Sequence, residues 1–123
     1  MRIALMGQAA FGASTLEALL KTEEEIVAVY APPAGPGGKD DPLATLAKEK
    51  KLPTLQPQSY KDAGVTSGFQ EFSPDLLIMA FVTVIIPKPF LDIPTHGSIC
   101  YHPSLLPRHR GASAINWAVM MGE

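Results

Sequence analysis

The residues with the clearest chemistry lie near the carboxyl end of the chain, where Cys100 and His102 stand two apart before Pro103. On a strand, residues two apart leave the same face, so Cys100 and His102 can share one site while Tyr101 leaves the other face. Pro103 restricts His102 to an extended conformation, which places its imidazole at the carboxyl end of that strand. A histidine there can take a proton from a nucleophile and, once protonated, stabilise a developing oxyanion. The arrangement favours acyl-type transfer over a purely structural histidine.

The elements that must position these residues alternate between strands and helices. Apolar, β-branched runs predict strands, and leucines at helical spacing predict helices. The predicted strands are Arg2–Gly7, Glu25–Ala31, Leu52–Leu55, Asp75–Phe81 and Gly97–Tyr101. The predicted helices are Ser14–Lys21 with Ser14 as N-cap, Pro42–Lys50 with Asp41 as N-cap, Tyr60–Phe72, Pro87–Leu91 and Ser113–Met121. Such alternation implies one α/β domain, a Rossmann-like open parallel sheet with helices on both faces.

Ligands of such sheets bind beyond the carboxyl ends of the strands. That rule selects three places in the sequence: the turn after Gly7, the segment Val82–Pro87, and the residues from His102 onward. The glycine- and proline-rich stretch Pro32–Gly38 is expected to form a mobile surface loop.

The first turn, Met6–Gly12, does not fit a nicotinamide dinucleotide. Its two glycines are five apart, without the G-x-G-x-x-G pattern that admits a pyrophosphate. The second strand also ends in Ala31-Pro32 where an acidic residue would bind the ribose hydroxyls. Gly7 and Gly12 therefore form either a tight strand-to-helix turn or a contact to a different polar ligand.

Composition narrows the class of protein further. The chain has 123 residues and a formal net charge of -2, so nothing draws it as a whole to nucleic acid or an anionic membrane. Its single cysteine, Cys100, fits a reducing compartment, and the sequence shows no export signal. The longest apolar run, Leu76–Ile86, is too short to span a bilayer. We expect a soluble, cytoplasmic domain without membrane partners.

The run HPSLLPRHRGASAINW, which begins at His102, resembles the signature of the folate-dependent formyltransferase family. Within that family it is most similar to the hydrolase domain of 10-formyltetrahydrofolate dehydrogenases, while GQAAFGASTLEALL resembles the first turn of methionyl-tRNA formyltransferases. The resemblance covers residues 1–123 and identifies them as the formyltransferase N-terminal, folate-binding domain. It implies 10-formyltetrahydrofolate as the formyl donor, with no metal and no NAD bound by this domain.

The resemblance also implies roles for particular residues. His102 takes the position of the family's catalytic histidine, which transfers protons and stabilises the tetrahedral intermediate at the formyl carbon. The segment that lines the folate pterin pocket corresponds to Val84, Ile85 and Ile86, although by periodicity these residues fit ordinary core equally well. The loop that closes over the folate corresponds to Ser104, Leu105, Leu106 and Pro107.

Two departures from the family bear on activity. Transferases of the family carry asparagine at the position of Cys100, and a thiol is only a weak hydrogen-bond donor. A bolder hypothesis makes Cys100 a nucleophile that His102 activates, through a formyl thioester.

The second departure concerns the family's catalytic aspartate, which lies on a loop beyond Gly122. No earlier aspartate replaces it; Asp75, for example, is predicted at the amino edge of the sheet. The fragment is therefore expected to be weakly active or inactive alone, and the last predicted strand to self-associate through an unpaired edge.

Three functions remain open from the sequence. The first is hydrolysis of 10-formyltetrahydrofolate, and the second is formyl transfer to methionyl-tRNA. The third is a non-catalytic folate-binding or interaction module, which the cysteine and the missing aspartate favour. The basic turn Arg108–Arg110 suits an anion, either the folate tail or tRNA, but it fits a solvated loop almost as well.

Overall fold

The computed structural model describes residues 1–103 and 115–119. The helices are α1 (Ala9–Leu20), α2 (Pro42–Glu49), α3 (Ala63–Glu71) and α4 (Lys88–Leu91), with a 3₁₀ turn at Pro36–Gly38. The strands are β1 (Arg2–Gly7), β2 (Glu25–Tyr30), β3 (Thr54–Leu55), β4 (Leu76–Ala80), β5 (Ser98–Pro103) and β6 (Ile115–Val119).

The six strands form one sheet in the order β3-β2-β1-β4-β5-β6. The first five are parallel, as the sequence predicts, and β6 runs antiparallel to β5. The chain leaves β1 toward one edge of the sheet and returns beside β1 as β4, so the strand order reverses between β1 and β4. This reversal point is where doubly wound sheets bind their ligands.

Two apolar cores cover the two faces of the sheet. One core joins the sheet to α3 and α4 through Phe69, Phe90 and Leu91, and the other joins it to α1 and α2 through Leu16 and Leu43. Because both faces are covered, β1, β2 and β4 are nearly continuous apolar runs rather than alternating ones. This burial explains why their positions can be read from the sequence.

Helix α1 begins at Ala9, earlier than the predicted Ser14. Its N-terminus is held from outside the helix, because both carboxylate oxygens of Asp41 accept from the Ala9 N–H at 2.9 Å. The same Asp41 caps α2 as predicted, accepting from Leu43 N at 2.9 Å. Ala9 lies in the left-handed region, with φ 64°. One carboxylate thus fixes the starts of two helices and the turn that follows β1.

The prediction of a helix at Ser113–Met121 is wrong for residues 115–119, which form β6. The isoleucine, tryptophan and valine of this segment suit a strand as well as a helix, and pairing with β5 decides between them. His102 pairs with Asn116, and Tyr101 with Trp117. The expected unpaired edge on β5 is therefore wrong too, and with it the reason given for self-association. The rest of the predicted helix, residues 113–114 and 120–121, lies outside the described residues.

Gly7 is required by the close approach of β1 and β4. A Cβ added at Gly7 would lie 2.5 Å from the Ala80 carbonyl oxygen, a backbone atom that cannot move aside. We expect Gly7→Ala to lower the free energy of unfolding by about 1–3 kcal/mol, as for other overpacked positions, measured by urea denaturation.

Gly68 in α3 provides the control for this prediction, because a Cβ there would meet nothing within 4 Å. Gly68→Ala is expected to raise the free energy of unfolding by about 0.4–1 kcal/mol, since it restricts the unfolded chain without strain. A Gly7→Ala protein as stable as the Gly68→Ala protein would contradict the packing role of Gly7.

Candidate functional site

The candidate site lies at the carboxyl edge of the sheet. Gly7 of β1, Ala80 of β4 and Tyr101 of β5 pair in register across three neighbouring strands. The next residues along these strands are Gln8, Phe81 and His102. Phe81 takes a left-handed conformation, φ 62°, and its N–H donates to the Tyr101 carbonyl at 3.1 Å. The chain therefore turns sharply after β4, and Val82–Ile85 passes over this edge.

A cleft of ≈ 630 Å³ opens between the segment after β4 and the ends of β1 and β2. Its walls are largely apolar, with Pro32 and Pro33 after β2 and Pro57 after β3. Polar groups are few and include Gln8, Thr83 and Lys61. An apolar cleft with a few polar groups at the reversal point of a parallel sheet is the usual form of a small-molecule site.

The segment Val84–Ile86 divides between the cleft and the core. Val84 and Ile85 line the cleft with exposures of 57% and 91%, whereas Ile86 is 8% exposed and packs in the core with α3 and α4. Large apolar side chains so exposed beside a cleft are unusual and point to a ligand or partner surface. The structure thus places two of the three predicted pterin-pocket residues in the cleft and the third beneath it.

Two tyrosines, Tyr30 and Tyr60, reach the cleft from a buried aromatic cluster. The ring of Tyr30 lies edge-on to Phe69 and Phe90, with ring centroids 5.5 Å apart in each pair, and Tyr60 lies edge-on to Phe90 at 5.3 Å. Burial raises the pKa of Tyr30 to about 12 and also raises the pKa of Tyr60. Both hydroxyls therefore stay protonated at neutral pH and can donate or accept a hydrogen bond.

Cys100 is buried in the core on the α3 and α4 side, with an exposure of 5%. Burial raises the pKa of the Cys100 thiol, so the thiolate is disfavoured at neutral pH. A neutral, buried thiol is a poor nucleophile. This environment argues against the formyl-thioester hypothesis and leaves Cys100 as a weak donor next to the site.

Tyr101 leaves the opposite face of β5, as the sequence predicts. Its ring stacks on Phe11 of α1, with centroids 5.1 Å apart and planes at 22°. The contact ties β5 to α1, so the strand that carries His102 is fixed to the helix that follows the first turn.

His102 itself lies on β5, one residue before the end of the strand, as its backbone pairing with Asn116 shows. The other predicted residues of this region, Ser104, Leu105, Leu106 and Pro107, and the basic turn Arg108–Arg110, lie outside the described residues.

The sequence points to the turn after β1 as a binding position, but it does not single out Gln8 within that turn. The Thr83 hydroxyl donates to the Gln8 Oε1 at 3.3 Å, which joins the turn after β1 to the segment after β4. Tyr30 and Tyr60 were also missed. An aromatic residue ending a buried strand beside Ala31-Pro32 was the available signal for Tyr30.

The glycines of the first turn act in packing. A Cβ at Gly12 would lie 3.3 Å from both the Gly7 carbonyl carbon and the Leu43 side chain, so α1 packs closely on β1 and α2. This geometry supports the interpretation of Gly7 and Gly12 as a tight strand-to-helix turn over that of a contact to a polar ligand.

Among the residues described at this cleft, none is a carboxylate. Asp75 lies at the opposite edge, where its Oδ2 accepts from Arg2 N at 2.7 Å. The carboxylate of Asp41 caps the N-termini of both α1 and α2. The part of the chain that the structure describes holds no group of three histidine, cysteine or acidic residues able to bind a metal. Nor does any helix in that part have the length and apolar character to cross a membrane.

The sheet order and the cleft at its reversal point define a Rossmann-like α/β domain. Comparison with known proteins makes the assignment specific, because the formyl transferase family matches residues 1–123. The chain belongs to the formyl transferase family.

The chain is 41% identical to a mitochondrial 10-formyltetrahydrofolate dehydrogenase of Mus musculus and 39% identical to the cytosolic enzyme of Xenopus tropicalis. It is 38% identical to a methionyl-tRNA formyltransferase of Geotalea daltonii. Each comparison covers the whole chain, which spans 14% of the two dehydrogenases and 41% of the transferase.

Solved structures confirm the fold. A phosphoribosylglycinamide formyltransferase from Anaplasma phagocytophilum superposes with a TM-score of 0.70 at 18% identity, over 100% of this chain and 66% of that one. A glycinamide ribonucleotide transformylase from Symbiobacterium toebii gives 0.68 at 20% identity, over 93% of this chain and 57% of that one.

Proposed function

We propose that the chain binds 10-formyltetrahydrofolate in the cleft at the β1–β4 reversal point and transfers its formyl group to water, as a hydrolase domain. The observation that carries this proposal is the pair Val84 and Ile85, which expose large apolar side chains on the cleft beside the strand that carries His102. A flat heterocycle packs well against such an apolar surface, and the few polar groups of the cleft orient it.

The proposed chemistry centres on the formyl carbon. Water adds to this carbon, the electron pair of the carbonyl π bond moves to the formyl oxygen, and the bond from carbon to N10 of the folate then breaks. The electron pair of that bond goes to N10 as the carbonyl re-forms. His102 takes one proton from the attacking water and returns one to N10, so the products are tetrahydrofolate and formic acid, which releases its proton to solvent as formate. Ser104, Leu105, Leu106 and Pro107 are proposed to close over the folate, and Cys100 to act as a neutral thiol near the formyl group.

Ile86 has a different part in this proposal. Because it is buried among the residues of the α3 and α4 core, it anchors the segment from below while Val84 and Ile85 face the ligand. The burial of Ile86 thereby fixes the position of Val84 and Ile85 relative to β4.

Two other functions are supported less well. Methionyl-tRNA formyltransferase is favoured by the similarity to the Geotalea enzyme, but Lys61 is the one cationic side chain among the described residues that line the cleft. A non-catalytic folate-binding module is favoured by the buried Cys100 and by the absence of a carboxylate among the described cleft residues. A cytoplasmic location is proposed because the sequence has a single cysteine, which fits a reducing compartment, and the relatives include both cytosolic and mitochondrial enzymes.

Substitution of Ile85 tests the binding surface. We expect Ile85→Ser to weaken the binding of 10-formyltetrahydrofolate by roughly 10-fold, measured by titration calorimetry, because it removes most of an apolar contact worth about 1.5–3 kcal/mol when fully buried. Leu20→Ser is the matched control, since Leu20 is also an exposed large apolar residue but ends α1, away from the cleft. Equal affinities for the wild type and Ile85→Ser would contradict this use of the cleft.

A further inference from the structure

We propose that Gln8 donates a hydrogen bond to the formyl oxygen during the reaction and that Thr83 positions the Gln8 amide for it. The inference deepens the proposed function and rests on it, because it assigns the group that stabilises charge in the proposed formyl site. Gln8 is then a catalytic residue and Thr83 a positioning residue.

The need for such a group follows from the chemistry of addition to a formyl carbon. The formyl oxygen gains negative charge as the tetrahedral intermediate forms, and a fixed donor aimed at that oxygen lowers the barrier. Cys100 is poorly suited to this task, because a thiol is a weak donor and this one is buried in the core. Another side chain at the same edge of the sheet can supply a stronger donor.

The strand register places Gln8 correctly for this role. Gly7, Ala80 and Tyr101 are aligned across β1, β4 and β5, and Gln8 and His102 directly follow the outer two of these residues. Their backbones are thus separated by two strand spacings, about 10 Å. A formyl group lying over the end of β4 would have the Gln8 side chain on one side and the histidine strand on the other.

The hydrogen bond from Thr83 gives the Gln8 amide an orientation at the cleft. The Thr83 hydroxyl donates to Oε1 at 3.3 Å, so the oxygen end of the amide is directed to the segment after β4. The Nε2 group has no acceptor among the described residues, and both Gln8 and Thr83 line the cleft. A carboxamide held by its oxygen presents its N–H donors to a ligand. The contact is long for a hydrogen bond between oxygens, as is common before a substrate tightens a site.

The test combines kinetics with a vibrational probe of the formyl group. The probe is 10-formyltetrahydrofolate with ¹³C in the formyl carbon, bound to the wild type and to variants, with its carbonyl stretch recorded by infrared difference spectroscopy. Donation by Gln8 lowers the stretching frequency in the wild type. Gln8→Leu, which removes the amide, and Gln8→Glu, which replaces the donor with an acceptor, are both expected to shift the band to higher frequency.

The kinetic result expected is a loss of about 100-fold in kcat for Gln8→Leu with little change in KM, since the bond strengthens in the transition state. Thr83→Val is expected to shift the carbonyl band part of the way and to lower kcat less, while Thr83→Ser, which keeps the hydroxyl, restores both. Gln70→Leu is the matched control, because Gln70 is an exposed glutamine of α3 away from the cleft.

The possible failures can be told apart. If the labelled folate binds and the carbonyl band is the same in the wild type and Gln8→Leu, the inference is wrong while the proposed function stands. A loss of stability in Gln8→Leu and Thr83→Val with an unchanged band has the same meaning, since it shows that the pair only braces two loops. If the wild type shows no saturable binding of the labelled folate, the proposed function fails, and the inference fails with it.

Discussion

Replacing His102 by alanine is expected to slow the release of tetrahydrofolate from 10-formyltetrahydrofolate by about 10²–10⁴-fold, the usual loss when a positioned acid–base group is removed. The attacking water then has no base to receive its proton, and N10 has no acid to protonate it as it leaves. The measurement is a single-turnover assay with the chain in excess over the folate, followed by absorbance, so that slow rates remain visible.

His96→Ala is the control for this prediction. His96 is exposed on the loop that precedes β5, at the opposite edge of the sheet. Its backbone N–H donates to the Asp75 carbonyl at 2.7 Å. This variant should keep the wild-type rate. Equal rates for the wild type and His102→Ala would remove His102 from the mechanism.

Replacing Phe90 by alanine is expected to lower the free energy of unfolding by about 3–5 kcal/mol, the range for a deeply buried aromatic residue. Phe90 is fully buried, stacks on Phe69 with centroids 4.1 Å apart, and lies edge-on to Tyr30 and Tyr60. Its loss leaves a cavity directly beneath the two tyrosines that reach the cleft. Urea denaturation measures the loss of stability, and titration calorimetry measures the weaker folate binding that should accompany it.

Phe11→Ala is the comparison for Phe90. Phe11 is half-buried, and its described ring contact is the stack on Tyr101. Its removal should cost clearly less than the removal of Phe90. Similar losses for the two variants would show that the aromatic cluster under the cleft is not the main anchor of the α3 and α4 side.

The central strands could be predicted closely from the sequence, because strands buried on both faces are nearly continuous apolar runs. Five parallel strands lie where apolar runs predict them, and Asp41-Pro42 correctly predicts the start of α2. The start of α1 could not be read in the same way, because its N-terminus is held by Asp41, 32 residues further along the chain. Local capping preferences therefore favour Ser14 over Ala9 as the start of this helix. The strand β6 forms because it pairs with β5. The residues of Ile115–Val119 alone do not predict that pairing.

For the candidate site, the sequence predicts two of the segments that line the cleft, but not which of their side chains face it. The strand-end rule and the family resemblance both selected the residues after β4, yet Val84–Ile86 is uniformly apolar and gives no sign that Ile86 is buried while Ile85 is exposed. That division follows from the sharp turn at Phe81, which takes a left-handed conformation. The sequence does not predict this conformation, because it is uncommon for a bulky residue such as phenylalanine. Gln8 was missed for a related reason, since its significance comes from Thr83, which is 75 residues away.

The fate of the formyl group decides whether the chain hydrolyses 10-formyltetrahydrofolate. The wild-type chain is mixed with 10-formyltetrahydrofolate labelled with ¹³C in the formyl carbon, and the label is followed by NMR against a blank without protein. Hydrolysis by the chain should make the folate signal decay faster than in the blank, with the label appearing as formate. A label that remains on the folate at the rate of the blank would contradict it.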